Sequence, residues 1–245
     1  MACGVTRGKD RACQFQIGGI TTAYIADWRK ITAWTTAIDG SLTDVTFLEY
    51  TITGVTNAAP PVVTAAGHGL VEGGKIFITG TSPMTGLIGE HTVGNVLSTS
   101  TFELEGEDST AWGAYGVTAA VVQDGGWYEI QVDQETSSGT SEFTSSNGNK
   151  FFTNGVNILI PSADNTTRAL VTEMALGKSV VIESTNEGNL KTFGKMLGLQ
   201  LTSAPFTTGA AYGDFAGFNV TLNGADFESF YIYDPTTNPL QVFTN

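Results

Sequence analysis

Cysteine is almost missing: Cys3 and Cys13 are the only two in 245 residues. Two thiols are too few for a disulfide framework or a four-ligand zinc site, so free thiols of a protein made in a reducing cytoplasm are the expectation. Histidine is as scarce, with His68 and His91 alone. No His/Cys/Asp/Glu cluster has metal spacing, and no Gly-x-Ser-x-Gly elbow offers a nucleophile for a triad. Cations are few, 11 Lys and Arg against 24 Asp and Glu, for a formal charge of −13. Tight wrapping of nucleic acid needs Lys and Arg against phosphates, which this balance argues against. Gly73-Gly74-Lys75 is no phosphate loop, because the upstream Gly and the downstream Ser/Thr are misplaced. The chain has no run of about 18 apolar residues for a membrane span, and its charged N-terminus lacks the apolar stretch of a signal peptide.

What is plentiful points to β structure. Gly occurs 30 times, Ser and Thr are abundant, and 41% of residues are hydrophobic. Short strands joined by turns are the expectation, around a core large enough for one β domain or two small ones. Strong helical periodicity occurs once, inside a strand, helix, strand stretch from Phe151 to Ser184. Val156, Ile158 and Ile160 alternate on one face, and Pro161 ends the strand. Ser162 reads as the helix N-cap, with Asp164 in the first turn. The pairs Leu170/Met174 and Val171/Ala175 make one apolar stripe. Gly177 reads as a C-terminal cap of positive φ. Ser179 to Glu183 then returns to strand.

Other segments read as follows. Strands are expected at Gln14–Ile17, Ile20–Ala26, Ile31–Ala37 and Asp44–Thr53, with a turn at Asp39-Gly40. A texture of closely spaced short strands follows from Gly54 to Val122: Val62–Thr64, Lys75–Thr79, Gly89–Val96, Thr101–Leu104 and Val117–Val121. After it, Tyr128, Ile130 and Val132 point inward on one strand. Thr136 to Asn149 is a polar hairpin or loop containing Asn147-Gly148. Leu190–Phe193, Leu197–Leu201, Phe218–Leu222 and Phe227–Tyr233 are late strands, Ser203 to Asp214 is a loop, and the tail from Pro235 is loose.

Charge is uneven. Residues 1–30 carry Arg7, Lys9, Arg11, Arg29 and Lys30 against Asp10 and Asp27, so the other 215 residues hold −16. A poorly ordered basic N-terminus and an arm that docks on an acidic neighbouring subunit are the two readings. Glu103, Glu105, Glu107 and Asp108 form an acidic run. It is a solvated face, or else a cation site or the acidic pair of a glycosidase. His68 is a turn residue or a metal ligand. Trp28, Trp34, Trp112 and Trp127 are scattered through strand-like segments, which fits core or subunit interface better than sugar stacking.

Two resemblances add to this. The run Val63-Thr64-Ala65-Ala66-Gly67-His68-Gly69-Leu70-Val71-Glu72-Gly73-Gly74-Lys75-Ile76-Phe77-Ile78 resembles a phage-borne β module labelled by similarity to the FCCH domain of ubiquitin-activating enzymes. The match continues through Met84, Gly86, Leu87, Val93, Thr101-Phe102-Glu103-Leu104 and Trp112 to Tyr115. It implies insertion into a phage structural protein. It implies no ubiquitin chemistry, since the chain has no adenylation motif or catalytic cysteine context. The flanking blocks carry Tyr128-Glu129-Ile130-Gln131-Val132, Gln134-Glu135-Thr136 and the strand, helix and strand. They go on through Gly194, Gly198-Leu199, Leu201-Thr202, Thr208-Gly209-Ala210-Ala211-Tyr212-Gly213-Asp214, Gly217-Phe218 and Val220-Thr221-Leu222. With the opening Met1-Ala2-Cys3-Gly4 and with Gly18-Gly19-Ile20, this pattern is similar to the tail-tube proteins of tailed phages, particularly those of Bacteroidetes-type hosts.

That resemblance implies a mainly β fold: a tail-tube-like barrel or sandwich with one flanking α-helix, formed by residues 1–53 and 123–245. Residues 54–122 would be a small inserted all-β module on the outer surface. It also implies a virion structural protein without enzymatic activity or cofactor, assembled in the bacterial host cytoplasm into stacked hexameric rings of a tail. Its partners would be copies of itself and other tail proteins (sheath, baseplate or terminator), with DNA passing through unbound and no membrane contact. The segment 136–149 and the N-terminal arm would touch the next ring. The acidity makes an acidic bore the expectation, with Glu129, Asp133, Glu135, Glu183 and Glu187 as its candidates. The rival reading is a head-decoration protein or a receptor- or glycan-binding protein of the virion.

Overall fold

A computed structural model describes residues 19–116, 119–132, 136–146, 148–161, 164–209 and 215–244. Cys3, Cys13, the basic arm, the strand expected at Gln14–Ile17, Ser162, Asp133 and Glu135 lie outside the described residues. The chain is mainly β, 53% strand and 7% helical, with one α-helix. Its first part holds β1 (Ile20–Asp27), a single 3-10 turn (Trp28–Lys30), β2 (Ile31–Thr36) and β3 (Leu42–Val55). Then come β4 (Val62–Ala65), β5 (Lys75–Thr79), β6 (Gly89–Ser98), β7 (Thr101–Leu104), β8 (Val121–Asp124) and β9 (Trp127–Gln131). The long hairpin β10 (Ser138–Ser146) and β11 (Asn149–Ile160) leads into α1 (Asn165–Leu176), β12 (Ser179–Thr185) and β13 (Leu190–Phe193). Last are β14 (Gln200–Ser203), β15 (Phe206–Thr207), β16 (Gly217–Asp226), β17 (Tyr231–Tyr233) and β18 (Val242–Phe243).

Two sheets face each other. One runs β18-β9-β1-β12-β13-β17-β3, and the other runs β10-β11-β16-β14 with β15 beside β16. The alternating residues read from the sequence meet between them: Ile130 and Val132 from one side, Val156, Ile158, Ile160, Val220 and Leu222 from the other. Both faces of β1 and β12 are covered. Val181 enters this core, while Val180 and Ile182 pack on the opposite face with Leu42, Phe47, Trp127 and Tyr233. A strand buried on both faces must be apolar at successive positions, which explains the continuous run Val180-Val181-Ile182.

The helix closes one end of the sandwich through buried Met174 and Thr167, with Leu170 and Val171 partly buried beside them. Its N-cap is Asp164, whose carboxylate accepts from the Thr167 amide at 2.7 Å, so the expected first-turn residue is itself the cap. Ala175 is exposed and drops out of the stripe. Gly177 is extended, with φ −137°, and is not a positive-φ cap. Its small size serves another contact, since a Cβ there would lie 3.1 Å from Nη2 of Arg29.

The short strands close into a second body. β3, β4, β7, β6, β5 and β8 pair in that order, and β8 returns to β3. The result is a six-stranded barrel. Its ring starts at Leu48, paired with Asp124, so the expected limits of 54 and 122 fall inside β3 and β8. Its core is its own, with Ile52, Val63, Ile78, Met84, Phe102 and Val122 all at most 2% exposed. Ala119 and Ala120 are not strand, so the last barrel strand begins at Val121, where the expected one was to end.

The tail from Pro235 is anchored, contrary to expectation. β18 pairs in parallel with β9, and the Trp127 amide donates to the Gln241 carbonyl at 2.9 Å. Phe243 stacks on Phe77 of the barrel with ring centroids 4.6 Å apart. Glu90 of the barrel accepts from the Thr244 amide and hydroxyl, both at 2.8 Å. The tail thus straps the barrel to the sandwich. Phe227–Phe230 is a connection, with only Tyr231–Tyr233 forming strand, because Asp226 turns the chain by accepting from the amides of Phe227 and Met196.

Candidate functional site

Most of the groups that suggested chemistry are engaged locally. His68 is buried edge-on against Phe102, with centroids 5.1 Å apart, and neither ring nitrogen has a partner among the described residues. His91 lies between the Leu87 carbonyl at 2.9 Å and the Glu107 carboxylate at 3.2 Å. Glu103 accepts from Asn95, and Asp108 accepts from Thr110, which leaves Glu105 exposed in the acidic run. Among the described residues no three His, Cys, Asp or Glu are placed to hold a metal ion. Lys75 of the Gly-Gly-Lys stretch pairs with Glu90 at 3.0 Å. The tryptophans pack inward. Trp127 is 1% exposed, Trp28 donates to the Lys195 carbonyl, Trp34 joins the Phe47 cluster, and Trp112 lies over Gly86.

The candidate bore residues scatter. Glu183 is 2% exposed inside the sandwich, so it lines no surface, and this corrects the expectation. Its burial follows from the alternation of β12, which sends Val181 and Glu183 to the same inner face. Desolvation raises its pKa to about 8, opposed by Lys191. Glu129 is exposed on β9, and Glu187 lies in the turn between β12 and β13. Tyr128, half-buried beside Phe243, is pushed up to about 12 by desolvation and by the carboxylates of Glu173, Asp124 and Glu90.

The surface that stands out is the outer face of the second sheet. The strand positions between the core residues carry Thr140 and Thr144 of β10, Thr153 and Asn157 of β11, and Asn219, Thr221 and Asn223 of β16, with Phe151 and Leu159 of β11 as apolar members of the same face. Asn223 donates to Thr202 at 2.9 Å, Thr144 and Thr153 hydroxyls meet at 3.3 Å, and Thr140 donates to the Gly155 carbonyl at 3.3 Å. Among the described residues Glu142 is the one charge on this face. A chain of −13 thus presents a face with a single charge, made mostly of hydroxyls and amides with two apolar side chains among them.

Among the described residues both borders of that sheet are open. β10 pairs with β11 over nine positions without a bulge, and pairs with nothing on its other side among the described residues. It contains no Pro or Lys, and Glu142 is its one charged residue to guard a free strand edge. β14 and β15 form the opposite border. The sequence signal for this face was the alternation of Asn219, Thr221 and Asn223 with Val220 and Leu222, whose apolar half alone was read.

Comparison of the chain with protein-family models and with curated proteins finds no match.

Proposed function

We propose that the protein is the tail-tube subunit of a tailed phage. The observation that carries this reading is the open sheet with a largely uncharged outer face and a long β10 edge that is unpaired among the described residues. DNA carries one negative charge per about 1.7 Å of axis, so a basic wall would hold it by counterion release. A wall mostly of Thr and Asn, with one carboxylate per copy, does not hold it. Pairing β10 of one copy with the β14 and β15 border of the next would continue the sheet around a ring and turn this face inward. That replaces a bore lined by several carboxylates per copy with a mostly uncharged one, to which each copy contributes the single carboxylate of Glu142.

The remainder of the assembly follows the family resemblance. Rings are hexameric and stacked, and the β10–β11 hairpin and the N-terminal arm reach the next ring. The sandwich, from residues 1–53 and 123–245, forms the tube, and the barrel inserted between them sits on its outside. Other tail proteins, namely sheath, baseplate or terminator, cap or cover it. The protein works without catalysis or cofactor, in the tail of a virion assembled in the cytoplasm of its bacterial host. Negative-stain microscopy of the purified protein tests the reading. Rings or tubes are expected, and compact trimers or monomers at all concentrations would refute it.

A further inference from the structure

Glu183 faces the edge strand that this assembly would use. Its side chain lies between the sheets, and Oε1 has no hydrogen-bond partner among the described residues. Across the core it rests on the backbone of β10, where a Cβ added to Gly139 would lie 2.2 Å from Oε2 and 2.5 Å from Oε1. A Cβ at Gly139 would push the carboxyl head out of this position. Within its own sheet Glu183 is flanked by Ala23 of β1 and Lys191 of β13. Lys191 is the one cation set against it. That ammonium lies 5.2 Å from the Phe230 ring centroid and makes no salt bridge among the described residues. β10 contributes neutral Gly139, and the inner face of β11 contributes neutral, fully buried Asn154. An ionised carboxylate here would give up its hydration with little in return, whereas the protonated acid carries no charge to solvate.

We propose that Glu183 is a proton-gated seat for β10: with its carboxyl protonated the edge strand closes onto it through Gly139, and loss of the proton frees β10 from β11, which stays paired with β16. In the seated state burial holds the carboxyl pKa near 8. In the loosened state water reaches the group and it titrates in the ordinary carboxylate range. Between those two values the loosened state binds fewer protons, so each pH unit raises the opening equilibrium about tenfold. Above a pH of about 8 the seated form ionises too and the slope levels off. The gate itself needs no assembly. Its consequence, that β10 presents its edge to a neighbour best under acidic to neutral conditions, rests on the tail-tube reading.

Amide hydrogen exchange of the full chain, expressed as protection factors for Ser138–Ser146 from about pH 5 to about pH 9, tests the gate. Wild-type protection should fall about tenfold per pH unit up to a pH of about 8 and then level off, while Glu183→Gln should be flat. A flat wild-type profile, or the same slope in Glu183→Gln, would overturn the proposal. Should that variant not fold, Gly139→Ala serves, because its added Cβ should leave β10 unprotected at every pH. Wild-type protection and slope in Gly139→Ala would also overturn it. Sedimentation of the wild type over the same pH range separates the two readings. Monomers throughout with the slope present refute the tube and leave the gate standing, while rings throughout without the slope refute the gate alone.

Discussion

Replacing Phe243 by alanine removes the anchor of the C-terminal strap. The ring is 2% exposed and stacks on Phe77 with 8° between the planes. It meets Tyr128 at 4.9 Å and fills space left by Gly126, where a Cβ would come within 2.8 Å of it. Truncating a buried Phe to Ala costs about 3–5 kcal/mol when the cavity cannot collapse. Here part of the strain is relieved by fraying, because β18 is only two residues long. Undocking returns about 1–2 kcal/mol of backbone entropy per residue freed. The expected loss is therefore at the low end, about 3 kcal/mol. Set against a total of about 5–15 kcal/mol for a folded protein, that is a large shift in urea midpoint. Unfolding followed by tryptophan fluorescence reads it, since the Trp127 amide is bound to the strap at Gln241. Limited proteolysis should also cut the variant after residue 235 before the remainder unfolds. A loss under about 1 kcal/mol with the tail still protected would show that Phe243 is not the anchor.

Glu183→Gln should stabilise the monomer. Burial raises this carboxyl's pKa, so the unfolded chain loses its proton first, and wild-type stability falls as pH rises from the ordinary carboxylate range to about 8. The advantage of the variant should be absent in acid, grow through that window and stay constant above it. Equilibrium unfolding at several pH values checks this, and an advantage independent of pH would refute it. Excising residues 56–120 with a short Gly/Ser linker should leave β3 and β8 paired as a hairpin, since loop closure changes by only about 0.6 kcal/mol per doubling of length. Ile52 and Val122 then lose their cover, so a soluble product should need both changed to Thr. Circular dichroism showing an unfolded chain after those changes would mean that the barrel is integral to the sandwich. Thr140→Lys combined with Thr144→Lys should leave the fold intact and block rings, because edge lysines disfavour strand pairing. Normal rings by microscopy would remove β10 from the contact.

What depends on neighbours a few positions away was legible in the chain. Alternation in Val156-Asn157-Ile158-Leu159-Ile160 and in Phe218–Leu222 marked the strands and their inner faces, because side chains on a strand repeat every two residues. The helix showed itself by its stripe and the carboxylate at its start, although which residue caps it turned on one hydrogen bond. The folded structure alone gave the closure of the barrel, which joins Leu48 to Asp124 across the whole intervening segment. It also decided the docking of the tail and the burial of Glu183, which reads as one more polar residue at the end of a β run. The reason is the same in each case. A period reports which side chains share a face, but what covers that face is supplied by residues far away in the chain: Gly139 above Glu183, Phe77 under Phe243, and β3 completing a ring begun by β4.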